Sequence, residues 1–211
     1  MKTLIVVGHP DLDGSSTQAF LQASAAGVPT AQWHPLTLNV AAERQALLAA
    51  ERIVLQFPLY WYAAPAMVQE WLATVWTTRF AQQLAGKSLG VVVSLGRPLR
   101  DFHPGGAVGV SLDALLSPFA ALAQTAKMTL LPPLAIAQFA YQIDAQRARL
   151  LVQYQQYLGL TVPSSFSAQA AWWQTQLAQQ PQAALLAETL ATRQARLESL
   201  RATLAEVKGD D

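Results

Sequence analysis

Three stretches of this sequence hold side chains placed to do chemistry. Ser15, Ser16 and Thr17 form an unbroken hydroxyl cluster behind Gly8-His9-Pro10-Asp11-Leu12-Asp13-Gly14. Tyr60, Trp61 and Tyr62 stand together between Pro58-Leu59 and Ala63-Ala64-Pro65. Ser94-Leu95-Gly96-Arg97, with Phe102 and His103 beyond, follows a further apolar run. Hydroxyls at the start of a helix can hold a phosphate through free backbone N–H groups and the helix dipole, without lysine or arginine. The plainer alternative is that one of the three merely caps the helix. Three adjacent aromatics at a loop tip are costly to leave in water unless something flat or apolar covers them. The alternative is that they fold back onto the core.

Those residues need elements to hold them. Leu4-Val7, Ile53-Leu55 and Leu89-Val93 are short, continuous apolar runs, the pattern of strands covered on both faces. A further strand is expected near Gln32-His34, and a last one over Leu130-Ile136, entered through Pro132-Pro133. Helices are expected from the hydroxyl cluster to about Ala26, over Ala41-Ala50, over Ala66-Trp76 with Pro65 as first helical residue, and over Ser111-Thr125. This alternation predicts an α/β fold, a doubly wound parallel sheet of five strands. In the flavodoxin-type strand order the first and third strands are neighbours, and ligands bind at that switch point. The hydroxyl loop and the aromatic loop then flank one crevice. A ligand with a phosphate at one end and a flat ring at the other fits the pair, a flavin nucleotide being the plainest candidate.

From Asp144 the chain is helical in character, over Asp144-Leu158, Ser167-Gln179 and a last segment. In that segment Leu190, Leu197 and Leu204 recur every seven residues, as do Leu186, Leu200 and Val207, with Arg193 interrupting the second series. The seam is short for a coiled coil, and serves either packing on its own domain or a partner. The expected division is residues 1–160 and a helical extension over 161–211, with Lys208-Asp211 frayed.

Composition excludes several classes. A net charge of +1 argues against nucleic acid or acidic lipid as the main partner. The absence of cysteine removes disulfides and thiol chemistry, and His9, His34 and His103 offer no zinc pair, so no metal is expected. Asp11-Leu12-Asp13-Gly14 begins like a calcium loop but lacks the later ligands and reads as a turn. No Gly-x-Gly-x-x-Gly or Walker sequence is present. The run before Gly8 is too short for a signal peptide core, and Pro58 and Pro65 interrupt the longest uncharged stretch, so a cytoplasmic protein without membrane insertion is expected.

His9-Pro10, Ser15, Gln18 and above all Gln56-Phe57-Pro58-Leu59-Tyr60-Trp61-Tyr62-Ala63-Ala64-Pro65 resemble the signatures of the flavodoxin-like NAD(P)H:quinone oxidoreductases, which include DT-diaphorase, general stress oxidoreductases and potassium-efflux ancillary proteins. The likeness runs through Lys87, Pro104-Gly105-Gly106 and Leu115-Phe119 to Leu131-Pro132-Pro133, over about residues 1–160. It implies FMN or FAD as cofactor, NAD(P)H as hydride donor, a quinone or similar flat acceptor, ping-pong turnover and a homodimer paired through the Ala66-Trp76 helix. The apolar arc of that helix, Met67, Val68, Trp71, Leu72, Val75 and Trp76, is wider than covering one core face needs and is expected to stay partly free. The alternatives are a regulatory subunit of a potassium-efflux system and a flavodoxin-type electron carrier.

Carried over, the resemblance implies that His9, Ser15, Ser16, Thr17 and Gln18 hold the phosphate and ribityl chain. Gln18 stands where asparagine is usual. Pro58, Leu59, Tyr60, Trp61 and Tyr62 would cradle the ring, with N–H groups near Trp61 and Tyr62 reaching it. Ser94, Leu95, Gly96 and Arg97 replace a usual Thr-Thr-Gly-Gly at the ring's other end. Phe102 replaces a tyrosine and Val108 a polar position, so His103 is the remaining candidate proton donor, or else an ordinary surface histidine. Trp61, Tyr62, Phe102 and His103 are therefore the candidate catalytic residues. Arg97 and Arg100 would pair with a nicotinamide phosphate, with the ring's N1–C2=O edge, or with solvent alone, the second being preferred.

Overall fold

The computed structural model describes residues 1–209, and of residue 181 and residues 205–209 the backbone alone. Two compact units divide the chain, Met1–Gly159 and Leu160–Asp211.

In the first unit, strands and helices alternate. They are β1 (Thr3–Val7), α1 (Ser16–Ala25), β2 (Ala31–Pro35), α2 (Val40–Ala49), β3 (Arg52–Pro58), α3 (Ala66–Val75), α4 (Thr78–Ala81), β4 (Ser88–Leu95), α5 (Leu112–Leu115), α6 (Ser117–Thr125), β5 (Thr129–Leu130), β6 (Leu134–Ala137) and α7 (Asp144–Gly159). The strands pair in parallel in the order β2-β1-β3-β4-β5, with β6 also on β4. This is the flavodoxin-like order, and the five expected positions are all filled. The fifth is filled twice. β5 pairs beside Ser88-Leu89 and β6 beside Val92–Leu95, because Pro132 and Pro133 have no N–H to give the ladder between them.

Two apolar layers cover the sheet. On one face Leu47, Val68, Trp71, Val75, Leu84 and Phe119 close over Leu4, Val6, Ile53, Leu55 and Phe57. On the other Leu21, Ala25, Leu150 and Tyr154 cover Ile5, Val7, Val54 and Val92. A Cβ at Gly8 would collide with Val68 and Leu36, so glycine is what lets α3 lie close beneath the end of β1.

Four expectations need correction. Pro65 is the residue before the first turn of α3, with extended ψ, rather than its first helical residue. The helix expected over Ser111-Thr125 breaks at Leu116, with Pro118 opening the second piece. β3 runs on through Gln56, Phe57 and Pro58. The apolar arc of α3, expected to be left partly free for a homodimer, is used within the monomer. Val68, Trp71 and Val75 are buried, Met67 and Leu72 pack on the same core, and Trp76 is only 5% exposed. A charge at Trp76 would therefore report on folding and not on association.

The second unit is a helical hairpin of α8 (Phe166–Ala178) and α9 (Ala184–Gly209) joined by a 3-10 turn at Pro181–Ala183. Ser165 caps α8 by accepting from the Ala168 N–H, and Gln174 donates across the hairpin to Gln194 at 3.1 Å. Of the seven-residue pattern, Leu190 is half-buried while Leu186, Leu197, Leu200 and Leu204 are exposed. The side chain of Val207, and the end of the tail expected to fray at Asp210-Asp211, lie outside the described residues. No described helix is long and apolar enough to cross a membrane.

Candidate active site

The sheet order puts the loops after β1, β3, β4 and β6 at one edge, and between them lie two adjoining hollows. The inner one is lined by His9, Ser15 and Thr17, by Pro58, Leu59 and Tyr60, by Ser94, Leu95 and Gly96, and by Ile136 and Gln138–Tyr141. The outer one is lined by Leu59, Trp61, Tyr62, Leu95, Gly96, Arg97 and Phe102. Leu59, Leu95 and Gly96 belong to both, so the two form one crevice.

One end of the crevice carries hydrogen-bond donors of the kind that suit an anion. Ser15 caps α1, its Oγ accepting from the Gln18 N–H. The first-turn N–H groups of Ser16 and Thr17 have no intrahelical acceptor and project from the positive end of the helix. Asp11 donates its N–H to His9 Nδ1 at 3.1 Å, which leaves the ring proton on Nε2 as a further donor. Gly14 N–H to Asp11 Oδ1 closes the turn, so that carboxylate is occupied in shaping the loop.

The other end is a strained aromatic turn. Tyr60 and Ala63 exchange both backbone hydrogen bonds, at 3.0 and 3.1 Å, around a two-residue turn. Both turn residues lie in the left-handed region, Trp61 at φ 47° and Tyr62 at φ 66°. Such turns ordinarily take Asn-Gly, and each L side chain there costs about 1–2 kcal/mol. Among the described residues the N–H groups of Trp61 and Tyr62 find no acceptor. Trp61 is 93% exposed. Strain, free donors and an uncovered indole coincide at one turn, a combination that packing does not account for. The loop is held in place by Leu59 N–H to Ser94 O, 2.9 Å, and by His9 packed edge-on to Tyr60.

Between the two ends, a Cβ at Gly96 would meet no protein atom within 4 Å, so its absence keeps the crevice open and relieves no protein contact. Phe102 is buried and forms one wall of the outer hollow. Arg97 lies at its rim and donates to Asp101 Oδ2 at 3.3 Å.

Four expected residues are not at the crevice surface. Ser16 is exposed, and its side chain lines neither hollow, because the helix turns it away from Ser15 and Thr17. Gln18 is buried, its Oε1 accepting from Gln56 Nε2 at 2.6 Å beneath the floor. His103 is exposed and outside both hollows, with Nδ1 donating to the Pro104 carbonyl at 2.8 Å. Arg100, expected beside Arg97, lines neither hollow, and the remaining candidates line the crevice. The stretch after β6 was missed altogether. Gln138 at φ 49° turns the chain so that Phe139–Tyr141 face the inner hollow. The usable signal was position alone, since a loop leaving the carboxyl end of a central strand belongs to the binding edge.

A second cluster lies behind the crevice. Glu43 is buried and accepts from His34 Nε2, from the Thr37 N–H and hydroxyl, and from Trp71 Nε1, at 2.6 to 3.0 Å. Burial alone would raise its pKa, but the hydrogen bonds from Thr37, His34 and Trp71 and the charge of His34 outweigh it and hold the carboxyl below its usual value. The cluster fastens α2 to α3, the helix that leaves the aromatic turn.

Comparison with known proteins agrees with this architecture. The profile of the flavodoxin-like fold family matches residues 1–158. The chain is 35% identical over 147 residues to the uncharacterized NAD(P)H oxidoreductase YdeQ of Bacillus subtilis (strain 168), covering 64% of this chain and 75% of the relative. Among solved structures it is similar to an NADPH-quinone reductase from P. pentosaceus, with a TM-score of 0.75 and 45% identity over 76% of this chain and 99% of that one. It is also similar to general stress protein 14 of Treponema denticola in complex with FMN, with a TM-score of 0.68 and 28% identity over 75% of this chain and 98% of that one.

Proposed function

Because the chain belongs to the flavodoxin-like family of NAD(P)H oxidoreductases, we propose that it is a flavin-dependent enzyme that takes hydride from NAD(P)H and delivers it to a quinone or similar flat acceptor. One observation carries the reading. Anion donors at the start of α1 and free N–H groups on the Trp61-Tyr62 turn open into one crevice, with an open glycine edge between them. The residues present fit a flavin mononucleotide, its phosphate toward Thr17 and His9 and its ring toward Leu59, Leu95 and Gly96. FMN is favoured over FAD by the FMN bound in the general stress protein 14 relative.

Bound there, the flavin supplies a ring that accepts hydride from the nicotinamide and returns two electrons to the acceptor. Trp61, Tyr62 and Phe102 then bind and orient one flat molecule at a time against it. The turn N–H groups offer fixed donors to charge developing on the ring. In balance, NAD(P)H gives up two electrons and a proton and leaves as NAD(P)⁺. The quinone gains two electrons and two protons, the second from water. His103 is a secondary proton source in this scheme, reached through solvent. With one outer hollow for two flat molecules, NAD(P)⁺ leaves before the quinone enters, which is ping-pong turnover. A homodimer, which the resemblance implies, and a cytoplasmic setting belong to the same proposal, and sedimentation at micromolar concentration tests the first. The activity itself is tested by NAD(P)H oxidation, which should require both added flavin and a quinone. A flavin-loaded protein that consumes no NAD(P)H with any quinone would refute it.

A further inference from the structure

We infer that the outer hollow selects flat acceptors that carry an anionic substituent, and that Arg97 determines this specificity. The inference rests on the proposed function, since it names the acceptor class for the same crevice. The walls of the outer hollow are apolar or aromatic, and among its lining groups only Arg97 is charged. No Asp or Glu lines either hollow, so no carboxylate of the crevice walls opposes a negative charge.

Arg97 is paired with Asp101 through one Nη1 contact of 3.3 Å, spanning four residues across the 3-10 turn Leu99–Asp101. That contact orients the guanidinium without using it up, because the group has five N–H donors in a fixed fork. Asp101 is not part of the hollow's wall, so an entering molecule meets the cation and not its partner. The Arg97 side chain is 53% exposed, at the opposite end of the crevice from the first turn of α1. The anion donors at α1 are therefore left to the cofactor's phosphate, and Arg97 to the second molecule. A ring lying against Trp61 and Phe102 would bring a carboxylate or sulfonate on its edge to this fork, a charge-assisted and geometrically selective contact. A neutral ring of the same size gains the aromatic walls only. Since Arg97 is half exposed and screened by salt, the discrimination should be modest, about tenfold.

The test uses flavin-loaded protein and two acceptors with one ring system, 1,4-naphthoquinone-2-sulfonate and 1,4-naphthoquinone. In ping-pong turnover kcat/KM for the acceptor reports only the acceptor half of the cycle, so any role of Arg97 toward the hydride donor drops out. The sulfonate also alters the quinone's own reactivity, so the informative quantity is the change in the anionic-to-neutral ratio on substitution. Arg97→Gln should lower that ratio about tenfold. Calorimetric binding of naphthalene-2-sulfonate and 2-naphthalenemethanol to the same proteins repeats the comparison without turnover, and the sulfonate's advantage should vanish in the variant. A ratio and a binding preference both unchanged by Arg97→Gln would overturn the inference. Absence of turnover with either quinone would instead overturn the functional reading, and the binding comparison would then decide the inference by itself.

Discussion

The Tyr154 hydroxyl donates to Gln56 Oε1 at 2.6 Å, joining α7 to β3 across 98 positions of sequence directly beneath the crevice. Gln56 Nε2 passes the chain on to Gln18 Oε1 at 2.6 Å. The single phenolic proton sets the direction of the whole series, since an engaged Gln56 oxygen turns its amide nitrogen toward Gln18. Burial pushes the Tyr154 phenol far above its ordinary pKa, so it stays a donor throughout the neutral range. Tyr154→Phe leaves a buried carbonyl without a donor and should cost about 1–3 kcal/mol. Urea unfolding of parent and variant checks this, and an equal midpoint would show that the bond contributes nothing.

The left-handed pair at Trp61 and Tyr62 predicts a trade of stability against binding. Replacing them with Asn-Gly, which take positive φ readily, should raise stability by about 1 kcal/mol or more. The same change removes two walls of the outer hollow, so acceptor KM should rise. A variant that is less stable than the parent would show that the turn is not strained.

Glu43 predicts an acid limb. Its folded-state pKa lies below the ordinary glutamate value, so the network's stabilisation is complete above that value and is lost as pH falls through the folded-state pKa. Thermal midpoints should therefore fall as the pH drops below about 4.5, and less steeply in Glu43→Gln. Identical acid limbs in the two proteins would mean that the carboxylate is not held by His34, Thr37 and Trp71.

Much of the frame was legible because buried parallel strands are continuous apolar runs, and Leu4-Val7, Ile53-Leu55 and Leu89-Val93 needed no distant information. The full length of β3 is not legible in this way, because Gln56 and Pro58 break that pattern. Gln56 is buried only by virtue of Tyr154 and Gln18, partners 98 and 38 residues away, which no local pattern reveals. The aromatic loop was legible as a ligand edge, but not its conformation, since bulky residues rarely adopt positive φ. His103 was an attractive candidate by residue type alone, and its backbone turns it toward the Pro104 carbonyl. Tyr141 is not legible as a site residue, because the left-handed turn at Gln138 that aims it has no signature in glutamine.

In the anion end, Thr17 is a cleaner probe than Ser15, whose Oγ already caps α1. Thr17→Val should weaken FMN binding by roughly 1.5–3 kcal/mol, the range for a hydrogen bond to a charged group. Riboflavin, which lacks the phosphate, should lose little. Equal losses for the two ligands would place the phosphate elsewhere.

Shared use of the outer hollow predicts parallel lines in double-reciprocal plots, with excess quinone competing against NAD(P)H. Intersecting lines would require separate sites for donor and acceptor. His103→Ala should slow turnover about tenfold or less, well short of the loss of a general acid.

Equilibrium titration of the flavin-free protein with FMN, followed by quenching of flavin fluorescence, tests the central claim most directly. Saturable quenching with a dissociation constant of about 1 μM or lower is the predicted result, with riboflavin binding more weakly. A protein that is folded by circular dichroism yet leaves FMN fluorescence unchanged at about a hundred times that concentration would contradict it.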